Sequence, residues 1–314
     1  MIEFIVNPVS RGKQGALIWN QVEAELRRQN QQEGIDYRLH LTKPDLDAGQ
    51  IAEALTREQT EERQVLAVLG GDGTLNEVLN GLHLEQKPLL GYIPTGSGND
   101  FARAMHCTRD IEKAVDLLLH PKYFRKLDYG EASCGDGIQR RFLVSGGIGF
   151  DAAVCHKLLY SGVRKSLQKV HLEKLSYLVT GIWQLFGSGP MNGELVTEDG
   201  KRIKLKRARF VSAHIQPYEG GGFCFAPEAD PSDGKLSLCV MNHMGVFGFF
   251  LAMFCSLFRK HGFYPGVTLH DCKEVRITIQ EKKPVHTDGE SAGCQREVLF
   301  TCHKGGLVLI TEKD

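Results

Sequence analysis

Over roughly the first hundred residues the hydrophobic positions switch between two periods. Glu3–Val6 is a short apolar run, after which Leu17, Val22 and Leu26 recur at helical spacing within Ala16–Arg28. Tyr37–Leu41 alternates as a strand does, and Ala48–Leu55 returns to the helical period. Val65–Leu69 is a continuous apolar run of the kind buried on both faces of a sheet. Leu75–Leu82 predicts a helix, Leu89–Ile93 a strand, and Asp100–Met105 the opening of another helix. Strands alternating with helices imply an α/β unit with a mainly parallel sheet and right-handed crossovers, with any ligand at the carboxyl ends of the strands.

From about Lys126 the pattern changes. Arg141–Ser145, Gly193–Thr197, Ile203–Phe210, Lys235–Met241, Val275–Gln280 and Val298–Cys302 are strand-like. Asp199-Gly200 supplies a strong two-residue hairpin turn. Two helical stretches, Leu172–Phe186 and Val246–Arg259, interrupt them. The expectation is two domains: residues 1–125, and a mainly antiparallel, β-rich second domain over 126–314 whose last strand is free to pack back on the first.

Composition narrows the class. The 314 residues are 42% hydrophobic and 24% charged, ample for a real core. Basic and acidic residues number 38 each, so no whole-chain field steers the protein toward nucleic acid. Nine dispersed cysteines with no C-x-x-C pair predict reduced thiols in a cytoplasmic protein rather than zinc or disulfides. The opening on the strand Ile2–Val6, with no charged segment leading into an apolar one, predicts no secretory leader. Met244–Phe258, the most apolar run, would reach about 22 Å as a helix, short of the ~30 Å hydrocarbon core of a bilayer.

The candidate chemistry sits in three strand-to-helix loops. Gly70-Gly71-Asp72-Gly73-Thr74-Leu75-Asn76-Glu77 follows the buried third strand. Its glycines let backbone amides approach a phosphate that a Cβ would push away. Thr74 and Glu77 stand at capping-box spacing, which predicts a helix start at Thr74. Asp72 beside a phosphate makes sense if Mg²⁺ lies between the two charges. Asn7-Pro8-Val9-Ser10-Arg11-Gly12-Lys13 and Pro94-Thr95-Gly96-Ser97-Gly98-Asn99-Asp100-Phe101 are similar loops after the first and fourth strands. The P-loop pattern G-x-x-x-x-G-K-[ST] is absent.

With these loops in view, the chain resembles the catalytic domain of the diacylglycerol kinase family, in its bacterial lipid kinase branch, related to sphingosine, ceramide and NAD kinases. The resemblance rests on Asn7-Pro8-x-Ser10, GGDGTLNEVLNGL from Gly70, PTGSGNDFAR from Pro94, GGIGFDA from Gly146, DPSDGKLSL from Asp230 and Asp288-Gly289-Glu290. It implies a nucleotide-binding α/β domain and a β-sandwich domain with the active site in a cleft. It also implies an ATP- and Mg²⁺-dependent lipid kinase of phospholipid metabolism. Asn7, Ser10, Thr42, Gly70, Gly71, Asp72, Gly73, Thr74, Leu75, Asn76 and Ser97 are the implied ATP contacts, and Arg11 beside them either adds a cation near the phosphates or points to water. Asp72, Asp100 and Asp128 are the implied Mg²⁺ and water set, and Asp230, Asp233 and Lys235 a separate structural Mg²⁺ site. The family usually has glycine where Arg11 stands and threonine where Ser97 stands.

Transfer to an alcohol needs a proton acceptor, since a lipid hydroxyl does not ionise at neutral pH. Asp288-Gly289-Glu290 lies between two strand-like segments, and Gly289 permits a turn that presents both carboxylates. The resemblance assigns the acceptor to Glu290, with Asp288 beside it. Asp72 is the rival, because sphingosine kinases have been given a base in that loop. Other readings are a kinase of a long-chain base or NAD, and a nucleotide-dependent lipid sensor without turnover.

Val246–Phe258, followed by Arg259, Lys260 and His261, is apolar nearly all round. It reads either as a buried helix covering the second sheet or as a wall or face that meets lipid, with basic residues at headgroup level. Arg164, Lys165 and Lys169 form a second basic group. The expected partners are ATP and a lipid at a membrane surface, through transient peripheral contact. Nucleic acid is not expected, and a homodimer is left open.

Overall fold

The computed structural model describes residues 1–33, 36–57, 64–150 and 189–312. The expected helix Leu172–Phe186, the basic group at Arg164, Lys165 and Lys169, and the last two residues of the Gly146–Ala152 motif lie outside the described residues. Contacts divide the chain into two compact units, Met1–Asp128 with Lys304–Asp314, and Tyr129–His303.

In the first unit the elements run β1 (Ile2–Val6), α1 (Ser10–Glu33), β2 (Tyr37–Leu41), α2 (Ala48–Thr56), β3 (Val65–Gly70), α3 (Asp72–Gly81), β4 (Leu89–Pro94), α4 (Asp100–Ala104) and α5 (Ile111–Leu119). β1 pairs in parallel with β2 and β3, and β3 with β4. The end of the chain completes this sheet, Val308 and Leu309 pairing in parallel with Leu89 and Leu90. All of these strands point the same way, so the loops after β1, β3 and β4 share one end of the sheet. The apolar runs behave as their pattern requires. Phe4, Val6, Ala67 and Leu69 pack with Val22 and Leu26 of α1 and Val115 and Leu118 of α5. Helix α5, capped by the Asp110 side chain on the Lys113 amide, is an element the hydrophobic pattern left unnamed.

Helix α1 is broken near its start. Arg11, Gly12 and Lys13 take left-handed conformations with φ of 45°, 68° and 78°. For a non-glycine residue that region carries strain. Glycine adopts that region without strain, so Arg11 and Lys13 hold a backbone conformation that glycine would take more readily.

The second unit holds β5 (Tyr123–Cys134, which enters from the first unit), β6 (Gln139–Phe142), β7 (Ser145–Gly149), β8 (Met191–Thr197), β9 (Arg202–Ala208) and β10 (Phe210–His214). There follow a small hairpin of β11 (Tyr218–Glu219) and β12 (Phe223–Cys224), then β13 (Leu236–Met241), α6 (Val246–Ser256), β14 (Val267–Cys272), β15 (Glu274–Thr287) and β16 (Glu290–Thr311). Its main path is antiparallel, in the order β14-β13-β10-β7-β15-β16, with β8 and β9 attached at β15. The α/β unit with a parallel sheet and the mainly antiparallel β unit are the fold classes read from the sequence.

Two local expectations are corrected. Ile203–Phe210 is two strands rather than one: β9 ends at Ala208 and β10 begins at Phe210, with a left-handed Arg207 (φ 53°) as an irregularity inside β9. Helix α3 begins at Asp72, and its N-cap is Gly71, which makes no side-chain cap bond. The Thr74–Glu77 capping box does not form, since both side chains are used elsewhere. Thr74 Oγ1 accepts from Asn7 Nδ2 at 2.9 Å, and Glu77 Oε2 accepts from the Ala48 amide at 3.2 Å.

Candidate active site

In the first unit the three loops are tied together by short polar bonds. Asn7 reaches across to Thr74, as above, and its Oδ1 accepts from the Val9 amide at 3.2 Å. Ser10 Oγ lies 2.7 Å from Thr95 Oγ1, and the Thr95 amide donates to the Gly70 carbonyl at 2.8 Å. Thr42, at the end of β2, donates its amide to Val6 beside the first loop. The glycines allow contact of backbone with backbone. A Cβ on Gly96 would lie 2.7 Å from the Gly71 Cα, and one on Gly70 would collide with the Thr74 side chain at 2.5 Å. The loops after β3 and β4 can therefore touch only because both are glycine there.

Asp72 links two helix starts. Its Oδ2 accepts from the Asp100 amide at 3.0 Å, so the carboxylate of α3's first turn holds the N-terminus of α4. The first main-chain bond of α3 runs from Leu75 N–H to the Gly71 carbonyl, so the amides of Gly73 and Thr74 precede the helical ladder and suit an anion. Leu75 and Asn76 are turned inward. Both are buried, and Asn76 accepts from Asn80 Nδ2 through its carbonyl and its Oδ1. Any contact they make with a nucleotide is through the backbone. Ser97, Arg11 and Lys13 are exposed at the loop tips.

The acidic residues are brought together only in part. Asp72 and Asp100 meet, and Asp100 is also paired with Arg103. Asp128, 1% exposed, accepts from the Gly305 amide at 2.7 Å, which ties β5 to the returning end of β16. No group of three or more His, Cys, Asp or Glu able to hold a metal occurs among the described residues. Mg²⁺ needs no such cage, because it keeps several waters and binds one or two carboxylates together with substrate phosphates. Asp72, an oxygen donor at the mouth of an amide-lined loop, fits that requirement. The Asp230–Lys235 segment is a turn closed by its own bonds. Asp230 Oδ1 accepts from the amide and hydroxyl of Ser232 at 3.0 and 2.6 Å, and Asp233 Oδ1 from the Lys235 amide at 2.8 Å.

In the second unit, Asp288 and Gly289 form the two-residue turn between β15 and β16, with φ of 50° and 85°. Two left-handed residues are the type I′ requirement, and Asp-Gly meets it. Asp288 is an anchor. Its carboxylate accepts from three successive amides, Leu143 and Val144 at 2.8 Å and Ser145 at 3.0 Å, and its own amide donates to the Ser145 carbonyl at 2.8 Å. Glu290, half-buried on the other side of the turn, has no such commitment among the described residues.

Beneath the turn lies a polar network absent from the sequence reading. The Gly289 amide donates to His286 Nδ1 at 3.2 Å, which leaves the ring proton of the neutral imidazole on Nε2. That nitrogen is 3.3 Å from Glu219 Oε1. The other Glu219 oxygen is 3.7 Å from Nε2 of His214, which in turn is 2.7 Å from Ser212 Oγ. His214 and His286 are fully buried. Burial, and then the neighbouring His286 and His261, push the His214 imidazole down to about 3, so that it is neutral. The signal that was available is His286 three residues before Gly289 in a hairpin. Nothing in the local pattern brings Glu219, some seventy residues earlier, to it.

Comparison with known proteins follows the same division. Residues 2–132 match the model of the diacylglycerol kinase catalytic domain, and residues 148–310 match the YegS C-terminal NAD kinase beta sandwich-like domain. A Bacillus subtilis protein provisionally named lipid kinase YtlR is 27% identical over 293 residues, covering 92% of this chain and 93% of that protein. A diacylglycerol kinase of the same organism is 28% identical over 291 residues, covering 92% and 89%. A solved structure of a diacylglycerol kinase from Bacillus anthracis superposes with a TM-score of 0.73 at 23% identity, covering 99% and 96% of the two chains, a likeness of fold. Glycine loops joined backbone to backbone, a hairpin turn carrying Asp-Gly-Glu, and family matches over both units together make this chain a member of the diacylglycerol kinase-like lipid kinase family.

Proposed function

We propose that the protein transfers the γ-phosphoryl group of ATP to the hydroxyl of diacylglycerol or a related membrane lipid. The observation that carries this reading is the phosphate cradle of the first unit, where Gly71 and Gly96 touch and the Gly73 and Thr74 amides precede the helical ladder. Backbone donors fixed in advance suit a transfer whose catalysis is positioning and electrostatics.

In this reading Asn7, Ser10, Thr42, Gly70–Thr74 and Ser97 hold the nucleotide, and Arg11 lends a cation at the loop edge. Asp72, supported by Asp100, would hold Mg²⁺, and that cation would supply charge neutralisation for the transferring phosphates. Glu290 accepts the proton of the attacking lipid hydroxyl at its carboxylate. A positioned base of this kind contributes about 10²–10⁴ in rate, or roughly 3–5 kcal/mol. Asp288 fixes the turn, and Glu219 acts through His286 as a positioning pair that fixes the Gly289 amide.

The test is transfer from γ-labelled ATP into a total lipid extract with Mg²⁺ present, the product identified by mass. A phosphatidic acid-like product, lost in Asp72→Ala, is expected. Product appearing only with NAD as acceptor, or ATP binding with no transfer to any lipid, would overturn the assignment.

A further inference from the structure

Helix α6 and the turn that follows present an apolar surface that the chemistry proposed above does not use. Phe247, Leu251, Phe254 and Phe258 are spaced by four, three and four residues, so they line one side of the helix over about 16 Å. Phe247 is 82% exposed, Phe254 56% and Phe258 60%. Leu251 and Leu257 are also exposed, and Phe263, in the next turn, is 90% exposed. The opposite side of the helix carries Phe249, Ala252 and Ser256, all buried. The sequence left two readings for this segment, and the described residues separate them: one side is core and the other is not. Allowing 150–250 Å² for each aromatic ring, the exposed stripe amounts to on the order of 600 Å² of hydrocarbon. That is at or beyond the largest patch an ordinary monomer leaves in water.

Charge indicates what covers it. Between Asp233 and Asp271 the chain has no acidic residue, whereas Arg259 and Lys260 stand exposed at the end of the stripe. Arg259 is held there by a 2.7 Å bond from Nη2 to the Pro227 carbonyl. A protein-binding face would ordinarily carry a polar rim of both signs and few lysines. Hydrocarbon side chains with Arg259 and Lys260 at the end of the stripe match acyl chains beneath anionic headgroups, with the exposed Glu228 lying next to the Pro227 that holds Arg259. The buried side of α6 takes the place of the polar face of a free interfacial helix, so the stripe is held by the fold.

We propose that the stripe Phe247–Leu251–Phe254–Phe258, with Phe263, docks the protein on an anionic bilayer surface, with Arg259 and Lys260 at headgroup level. The identity of the occupant rests on the lipid kinase reading, but its test needs no turnover.

The full chain is mixed with vesicles of phosphatidylcholine containing about a third phosphatidylglycerol, and binding is measured by sedimentation. Wild type is expected to bind these vesicles at least tenfold more tightly than phosphatidylcholine alone. A variant with Phe247, Phe254, Phe258 and Phe263 all changed to Ser should lose binding at least tenfold while melting as wild type does. Lys260→Gln should lose about fivefold, the effect of one charge near the surface. As a check independent of the multiple variant, the emission of Phe263→Trp should shift to the blue on anionic vesicles and be quenched by brominated acyl chains. Equal vesicle binding by wild type and the Ser variant would overturn the proposal. So would a wild-type dimer that binds no vesicles and that the Ser variant splits, since the face would then join two copies. Vesicle binding without any phosphate transfer would uphold the docking face and sink the kinase assignment instead.

Discussion

Asp288 offers the sharpest separation of anchoring from chemistry. Its carboxylate receives three backbone amides at 2.8–3.0 Å and sits at a φ of 50°. Asn tolerates that φ but offers a single acceptor oxygen, and its NH₂ group must face at least one of the three N–H donors. Each bond to a charged acceptor contributes roughly 1.5–3 kcal/mol net, and the three are not independent. Asp288→Asn is therefore expected to destabilise the second unit by about 3–5 kcal/mol, which lowers its melting temperature by roughly 10 °C. Glu290→Gln, by contrast, should melt within about 2 °C of wild type while losing lipid phosphorylation about 10²-fold or more. Calorimetry and initial rates on the same preparations provide the comparison. If Asp288→Asn melts like wild type yet loses turnover as Glu290→Gln does, the anchor argument fails and Asp288 is part of the chemistry.

Further outcomes follow from neighbouring features. Glu219→Ala is expected to lower kcat about 10–30-fold with the KM for ATP within about twofold, a small misplacement of the turn. Ring ¹⁵N shifts of His286 should show the proton on Nε2, and an Nδ1–H tautomer would contradict the network. His214 titrates near 6.5 when unfolded and near 3 when folded. Between those values only the unfolded chain takes up the proton, so stability falls as pH drops below about 6.5, by ~2 kcal/mol at pH 5. Urea unfolding at pH 7 and 5 should show this loss in wild type and less of it in His214→Gln; equal losses would refute it. Burial raises the Cys107 thiol to about 12, Cys134 to about 11 and Cys272 further still, whereas Cys294 is exposed. Among the described cysteines, iodoacetamide at pH 8 should modify Cys294 first, and peptide mapping showing Cys272 equally reactive would contradict the burial.

Period and punctuation made the parallel unit legible. β3 is apolar throughout and buried from Leu66 onward, so its run of Val65–Leu69 could not be misread. The glycine loops were legible for the same reason, since only a close backbone approach explains so many glycines after successive strands. The start of α3 was not, because Thr74 and Glu77 obey capping chemistry locally yet are claimed by Asn7 and Ala48, partners far along the chain. Glu219 was invisible for a related reason: its meaning comes from His286, and no window of sequence holds both. The break at Arg11–Lys13 could be suspected only from Gly12, since arginine and lysine give no sign of left-handed backbone. Tertiary partners, not local propensity, decided each of these.

The central claim is that the glycine cradle binds the nucleotide and Glu290 takes the proton, as separable tasks. Its most direct test is a single-turnover measurement on Glu290→Gln, with ATP affinity measured in parallel. The expected result is ATP binding within twofold of wild type and a transfer rate to lipid lower by 10²–10⁴. A transfer rate within threefold of wild type would contradict it.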